Sequence, residues 1–280
     1  MSTTLERTAA RAAARPGGAR GPRRYPRRLV RALALLGFVG LWQLLTAADV
    51  QAWVRFDHLP TAVEVARAFA ARVGTAPYWQ DLAESLRRIG LGFALAAVLG
   101  VAAGVLTARS RVAADLLGPV LETVRPIPAI ALVPVAIMLF PENEQGIVFI
   151  TFAAAFFPVA VATRHAVRAV PPRWEEAVRT LGGGRLRVLF GVLLPGALPG
   201  VVGGLSVGIG VSWICVISAE MVSGQFGVGY RTWQAYTVLD YPGVFVGMAT
   251  IGVLGKLTSG AVELLGRRLT RWLPPRLEGP

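Results

Sequence analysis

The chain has a single cysteine, Cys215, so no disulfide can form within it. That cysteine lies inside an apolar run. Only two histidines are present, His58 and His165, far apart and without neighbouring Cys or His partners. Neither suggests a metal site, and each reads as a polar flank. Charge is also scarce: 16% of residues are Asp, Glu, Lys or Arg, against about 25% in a globular domain. A chain so poor in charge belongs with lipid before any motif is read. No phosphate loop is legible. Gly255-Lys256-Leu257-Thr258 resembles the end of one, but the glycine that should open it falls on Thr250, and a leucine stands before the hydroxyl. The glycines at 203–204 and 224–229 follow no strand, which excludes a dinucleotide fingerprint. No Ser/His/Asp set is supported. The chain therefore brings no hydrolytic chemistry, binds no cofactor of its own, and must draw energy from a partner.

What is abundant is apolar sequence, 54% of the chain, punctuated by arginine. The net charge of +13 would suggest nucleic acid in a soluble protein. Here the arginines occupy links between apolar runs and form no single basic face, so they orient the chain in a membrane and no nucleic-acid partner is expected. Residues 1–28 are rich in Ala, Arg, Gly and Pro without apolar periodicity, and are expected to form a disordered, basic, cytoplasmic tail. Arg23-Arg24 could be read as an export signal, but a retained basic flank fits the positive-inside rule better. Residues 29–48 are apolar over a length that crosses about 30 Å of hydrocarbon. A cleaved signal has a shorter core of about 7–15 residues, so this is an uncleaved first span.

The remaining spans are expected at 82–108, 112–140, 146–163, 186–221 and 244–265. Between the first two, residues 49–81 are mixed and polar, with a helix start near 57–61 and an amphipathic helix over 61–72. The span at 112–140 is broken by Pro119, Pro126, Pro128 and Pro134. Proline lacks the amide donor and clashes with the preceding turn. Irregular backbone at membrane depth is tolerated only against protein or a water-filled cavity. Pro126 and Pro128 therefore mark either a pathway or interface feature, or a simple corner between helices. Small residues recur every fourth position at Gly92, Ala96, Gly100, Gly104 and Ala108, and again at Gly196, Gly200, Gly204, Gly208 and Ser212. Such stripes let helices approach closely in lipid. The second, denser stripe is expected to face a subunit partner or a pore. Residues 222–241, glycine-rich with five aromatics, suit an interfacial loop. Pro158 is a candidate kink in the span at 146–163.

Six spans place both ends of the chain on one side. Arginines crowd the N-terminal tail, Arg109/Arg111, residues 164–187 and the C-terminal tail, and are sparse in the alternate links. Both termini and residues 164–187 are thus expected in the cytoplasm.

That last segment organises the chain. After Pro171-Pro172, favourable in a first helical turn, Trp174, Ala177, Val178 and Leu181 recur at helical spacing. Arg173, Glu175, Glu176 and Arg179 cover the opposite face. Gly182-Gly183-Gly184 ends the helix, since glycine adopts the left-handed backbone of a C-terminal cap. A short amphipathic helix over 172–184 is thus tied to the span at 186–221.

Glu176-Ala177-Val178, then Gly182, Val192 and Leu194-Pro195 resemble the "EAA" loop of ABC importer permeases: Glu-Ala-Ala, three residues, Gly, nine residues, Ile, one residue, Leu-Pro. Val178 and Val192 replace Ala and Ile. The likeness runs from about Leu82 to Leu273. It takes in Arg125-Pro126-Ile127-Pro128, Phe156-Phe157-Pro158, Leu194-Pro195-Gly196-Ala197-Leu198-Pro199, Ala219-Glu220-Met221, Gly227-Val228-Gly229-Tyr230 and Trp233. These are similar to the nitrate/sulfonate/taurine branch, although Leu139-Phe140-Pro141-Glu142-Asn143-Glu144 stands where that branch often has Trp-Phe-Gly-Ile-Gly.

The resemblance implies an all-α integral membrane protein of about six helices, the fold of a type I ABC importer permease. It implies a homodimer with two ATPase subunits and an extracytoplasmic binding protein, working by alternating access. Its cargo would be a small anion such as a sulfonate, taurine or nitrate, or else a vitamin or pyrimidine precursor. The helix would dock in a groove of the ATPase, burying Trp174, Ala177, Val178 and Leu181, with Glu175 leading the segment and Glu176 and Arg179 pairing at the rim. Gly182 would turn the chain after it. The competing interpretation, a helix resting on lipid headgroups, fits poorly with adjacent glutamates. A passive channel or a non-transporting scaffold would need no such helix. Ser212, Trp213 and Glu220 sit at helical spacing and could line the pathway. Glu220, ionisable at the end of a span, is a functional candidate by default; alternatively it caps the nearby glycine loop or bonds across a subunit interface.

Overall fold

The computed structural model describes residues 27–48 and 59–272, all helices and turns. Internal contacts divide the chain into two units, residues 1–62 and 63–280. The tail over 1–26, residues 57–58 of the expected helix start, and Arg276 lie outside the described residues.

The first unit holds α1, Arg27–Ala47, whose apolar stretch is Ala32–Ala47. Helix α2, Ala62–Val73, is the amphipathic helix the sequence predicts, and from Val63 on it belongs to the second unit. Four helices then have the length and composition to cross a membrane: α3 (Ala76–Arg109), α6 (Asn143–Arg168), α8 (Arg185–Ser223) and α10 (Tyr241–Leu269). A fifth crossing is possible if the bent pair Arg111–Val124 (α4) and Ala129–Leu139 counts as one. The second part of that pair is a 3-10 turn, Ala129–Leu132, followed by α5, Val133–Leu139. The two parts meet at 88°. The break falls at Arg125-Pro126-Ile127-Pro128, where the sequence places it. Two of those four residues are prolines, so two amide donors that a broken helix would leave unsatisfied in lipid do not exist.

Helix α6 is the axis of the bundle. Its Ile147, Ile150, Ala154 and Val159 are buried with Ile89 of α3 and Ile209, Trp213 and Val216 of α8. Both small-residue stripes face it. A Cβ on Gly92 would meet Thr151 Cβ at 2.7 Å, and one on Gly104 would meet the Ala160 carbonyl oxygen at 2.6 Å. From the other side, a Cβ on Gly200 or Gly204 would lie 2.5 Å from Ala166 or Ala162 Cβ. The second stripe packs on α6 of the same chain, and its Gly200 and Gly204 also line an open cavity of about 590 Å³. The missing side chains bring backbones together, and dispersion contacts replace the hydrophobic drive that lipid does not supply.

Three boundaries differ from the sequence reading. Helix α3 starts at Ala76, six residues before the expected span, with Pro77 in its first turn. Helix α6 continues through Pro158 to Arg168. Residues 222–241 are not simply a loop: α9, Val228–Thr237, occupies the middle. Its Val228, Gly229, Thr232 and Ala235 are buried, while Trp233 and Tyr236 face outward. Glycines and aromatics obscured that periodicity.

Helix α8 begins as Arg185–Val188, passes through a π-helical stretch, Leu189–Leu193, and becomes regular at Leu194. Pro195 and Pro199 follow that stretch; proline removes i→i−4 donors, so a widened turn just ahead of them is understandable.

Candidate functional site

Pro172–Thr180 forms α7, the short helix expected from the sequence. Pro171 and Pro172 open it, and Leu181 caps it in a non-helical conformation. Gly182 follows at φ 79°, a left-handed backbone that L side chains rarely adopt, while its amide donates to the Arg179 carbonyl at 2.9 Å. The Gly183 amide donates to the Val178 carbonyl at 2.9 Å. Two successive amides thus turn the chain from α7 into α8.

The faces of α7 divide differently from the grouping expected. Glu175 is held by a bidentate pair from Arg109 of α3, at 2.8 and 2.9 Å, and its side chain is only 13% exposed. Val178 is half-buried against Val167, Val170, Val188 and Leu193. Those two residues anchor α7 to its own bundle. Trp174, Ala177, Glu176, Arg179 and Leu181 remain exposed, Leu181 at 84% and Trp174 at 48%. Val178 therefore leaves the outward set, because the chain's own bundle covers that edge of the stripe. The result is a helix fixed on one side, with an aromatic ring and a leucine presented on the other.

Arg109→Ala should isolate that fixing. The pair is open to water on its Arg109 side, 39% exposed, and contributes at most about 1 kcal/mol. Global stability is expected to change little, while hydrogen exchange of the α7 amides speeds up by about five-fold, the equivalent of that energy in a local opening. Unchanged exchange would show that Val178 alone holds the helix.

The pathway candidates do not form one site. Pro128, but not Pro126, lines an open cavity of about 590 Å³ with Phe157, Pro158, Gly204, Val207 and Arg125. Ser212 is buried and donates to the Thr151 carbonyl at 3.3 Å. Trp213 is buried and its indole N–H donates to Thr258 Oγ at 2.8 Å, tying α8 to α10. Both turn toward their own bundle.

Glu220 is fully buried at the opposite end of the molecule from α7, in a polar cluster that the sequence reading saw only in part. Its Oε1 accepts from Ser85 Oγ at 2.8 Å and Arg88 Nη1 at 2.7 Å; its Oε2 accepts from the Gly229 amide at 2.9 Å. Arg88, also fully buried, donates to the Phe226 carbonyl at 2.6 Å and grips Glu144 with Nε and Nη2. Asp81 accepts from the Gly227 amide at 2.9 Å and from Arg231 at 2.8 Å; the Val228 amide donates to Ser85 at 2.9 Å.

This arrangement has a plain cause. A helix start leaves its first amides without intrahelical partners. The three at the start of α9 find Asp81, Ser85 and Glu220, two of them negative, where the helix dipole favours negative charge. Gly227 stands at φ 120°, and a Cβ there would collide with the Glu220 carboxyl at 2.5 Å. The geometry thus fits Glu220 as a cap on the glycine turn. None of Asp81, Ser85 and Arg88 was singled out in the sequence: Asp81 falls just before the expected span at 82–108, and Ser85 and Arg88 fall inside it among apolar residues. Their signal was available: three polar residues at i, i+4 and i+7 share one helical face. Arg88 lies 21 residues before Arg109, about 32 Å along α3. That is close to the hydrocarbon thickness, so the two polar ends bracket a membrane.

Residues 96–271 match the family described as binding-protein-dependent transport system inner membrane component. The taurine transport system permease protein TauC of Escherichia coli is 34% identical over 197 residues, covering 70% of this chain and 72% of that protein. The nitrate import permease protein NrtB of Leptolyngbya laminosa is 29% identical over 241 residues, covering 85% of this chain and 86% of that one. Among solved structures, an inward-facing form of the MetNI methionine ABC transporter aligns with a TM-score of 0.54 at 21% identity, covering 70% of this chain and 98% of that one. At that identity the likeness concerns the fold.

Proposed function

The chain belongs to the binding-protein-dependent transport system inner membrane component family, and from that membership we propose that it is the permease subunit of an ATP-driven importer for a small solute carrying an oxyanion group. Two copies form the path, two ATPase subunits drive it, and an extracytoplasmic binding protein delivers the cargo. The ATP is used by the partner. Both termini and α7 lie in the cytoplasm, since the arginine-rich links share that side.

The observation that carries this reading is α7. It is a short helix at one membrane end, clamped by Glu175–Arg109, closed by left-handed Gly182, and presenting Trp174, Ala177 and Leu181 outward. A surface built so is suited to transmit motion. An apolar ridge seats in a partner groove, Glu176 and Arg179 meet its rim, and the clamp passes displacement into α3 while the Gly182 turn passes it into α8. Closure of the ATPase pair on ATP would draw two such helices together and open the path outward. The cargo assignment draws on relatives named for nitrate and taurine. A vitamin or pyrimidine precursor is the rival, to be separated by thermal-shift screening of the paired binding protein.

Co-purification tests the coupling. The tagged chain, expressed with its neighbouring ATPase, is expected to retain it; Leu181→Asp should lower recovery by about tenfold, as expected for removing a central apolar contact. Glu176→Lys and Gly182→Asp should insert normally but uncouple ATP hydrolysis from uptake. Within this chain the Gly182 substitution acts through backbone strain, since a Cβ there meets nothing within 4 Å. Full uptake by these variants at normal abundance would remove α7 from the mechanism.

A further inference from the structure

At the α7 end, between α4 and α6, lies a second and smaller cavity of about 180 Å³. Its lining includes Arg125, Arg164, His165, Arg168 and Glu122. Three guanidinium groups thus face one carboxylate, a local excess of two positive charges from these four side chains. Few of their donors are occupied. Arg168 donates to the Thr107 carbonyl at 3.2 Å. Arg164 reaches Glu122 only at 3.5 Å, and its Nε is buried without a hydrogen-bond partner. Arg125 makes no ion pair among the described residues, and Glu122 is largely exposed at 71%.

Like charges around a small, partly dry space repel, and a buried donor without a partner is costly. Arginine at a helix C-terminus accounts for part of this: Arg125 caps α4 and Arg168 ends α6, where cations meet the negative end of the dipole. It does not account for Arg164, which lies a turn further in with Nε unsatisfied. A planar fork of N–H donors is matched by an oxyanion, whose oxygens accept several at once. Arg125 also lines the larger cavity beside Pro128, where it is the sole ionisable residue of the lining. The two cavities share Arg125, Phe157 and Val161.

We propose that Arg125, Arg164 and Arg168 form an oxyanion-binding site, with Arg125 standing where it meets the apolar cavity at the α4 break. The site takes a small oxyanion, either a free anion on the route of the cargo or the phosphate of an anionic lipid. It rests on the importer reading for its purpose but not for its chemistry. Arg125 then supplies the cationic group that a path for anions needs and that the apolar cavity otherwise lacks.

The test uses the full chain in phosphatidylcholine nanodiscs, titrated with sodium sulfate or sodium nitrate against sodium chloride at equal ionic strength. The thermal midpoint is followed. Sulfate or nitrate is expected to raise it saturably, with half-saturation moved up by about tenfold in Arg125→Gln and Arg164→Gln and largely restored by Arg125→Lys. A second measurement needs no variant: sulfate should protect Arg125 and Arg164 of the wild-type chain from phenylglyoxal, read by peptide mapping. A parallel arm replaces part of the phosphatidylcholine with phosphatidylglycerol. Protection by that lipid and by neither salt supports the site and assigns it to a headgroup phosphate. No protection in either arm, or unchanged half-saturation in both glutamine variants, overturns the proposal. Neither ATPase nor binding protein is present, so this experiment can fail while co-purification through α7 succeeds, and the reverse.

Discussion

Replacing Arg88 with alanine is expected to destabilise the folded chain by about 3–5 kcal/mol, the range for removing one partner of a buried ion pair. Most of the protein should then fail to accumulate as a monodisperse species. The size of the effect follows from what is left behind. Glu220 would remain fully buried with its carboxylate facing only Ser85 and the Gly229 amide. The Phe226 carbonyl would lose its donor, while Glu144, 40% exposed, would keep Arg87 at 2.9 Å. Arg88→Lys should recover only part of the loss, because an ammonium cannot reach Glu220, Phe226 and Glu144 with one planar fork. Arg88→Met combined with Glu220→Gln should be milder than Arg88→Ala, since the charges leave together while an acceptor for Gly229 remains. Thermal midpoint and yield in detergent measure all three. A chain with alanine at 88 that melts like the wild type would mean that the cluster is solvated and contributes little.

Gly104→Ala is expected to cost about 1–3 kcal/mol although it adds one methyl group. Its Cβ would lie 2.6 Å from both the Ala160 carbonyl oxygen and Thr163 Cβ, so α3 and α6 would have to separate along their length. Gly90→Ala on the same helix is the control. A Cβ there meets nothing within 4 Å, and alanine in a helix interior is favoured over glycine by about 0.5–1 kcal/mol. The same chemical change should therefore act in opposite directions 14 positions apart. Equal effects at both sites would show that the helices are not in close contact at Gly104.

How much of this was legible beforehand differs element by element. The crossings at α3, α6, α8 and α10 were plain, because an apolar run of the right length has few alternatives in lipid. The break at Pro126 and Pro128 was equally plain, being written in missing amide donors. Helix α7 and the turn at Gly182 followed from Pro171-Pro172, a periodic apolar face and three glycines. The face of Val178 did not follow: amphipathic spacing says that residues share a stripe, but not how much of that stripe the chain's own bundle covers. The stripe from Gly196 to Ser212 was visible as small residues, yet a stripe does not name its partner. Glu220 as a cap on the glycine loop was among the alternatives read from the sequence; its companions Asp81, Ser85 and Arg88 on α3 and Glu144 on α6 were hidden because they come from other helices.

The sequence by itself determined what must leave water and what must stay there, since those follow from each residue's own transfer free energy and from the period of its helix. Which polar groups meet was decided only in three dimensions. Asp81, Ser85, Arg88, Glu144 and Glu220 are spread over 140 positions. They converge because glycine stripes draw α3 and α8 onto α6, and because a buried charge or an open helix start is stable only where such neighbours arrive together.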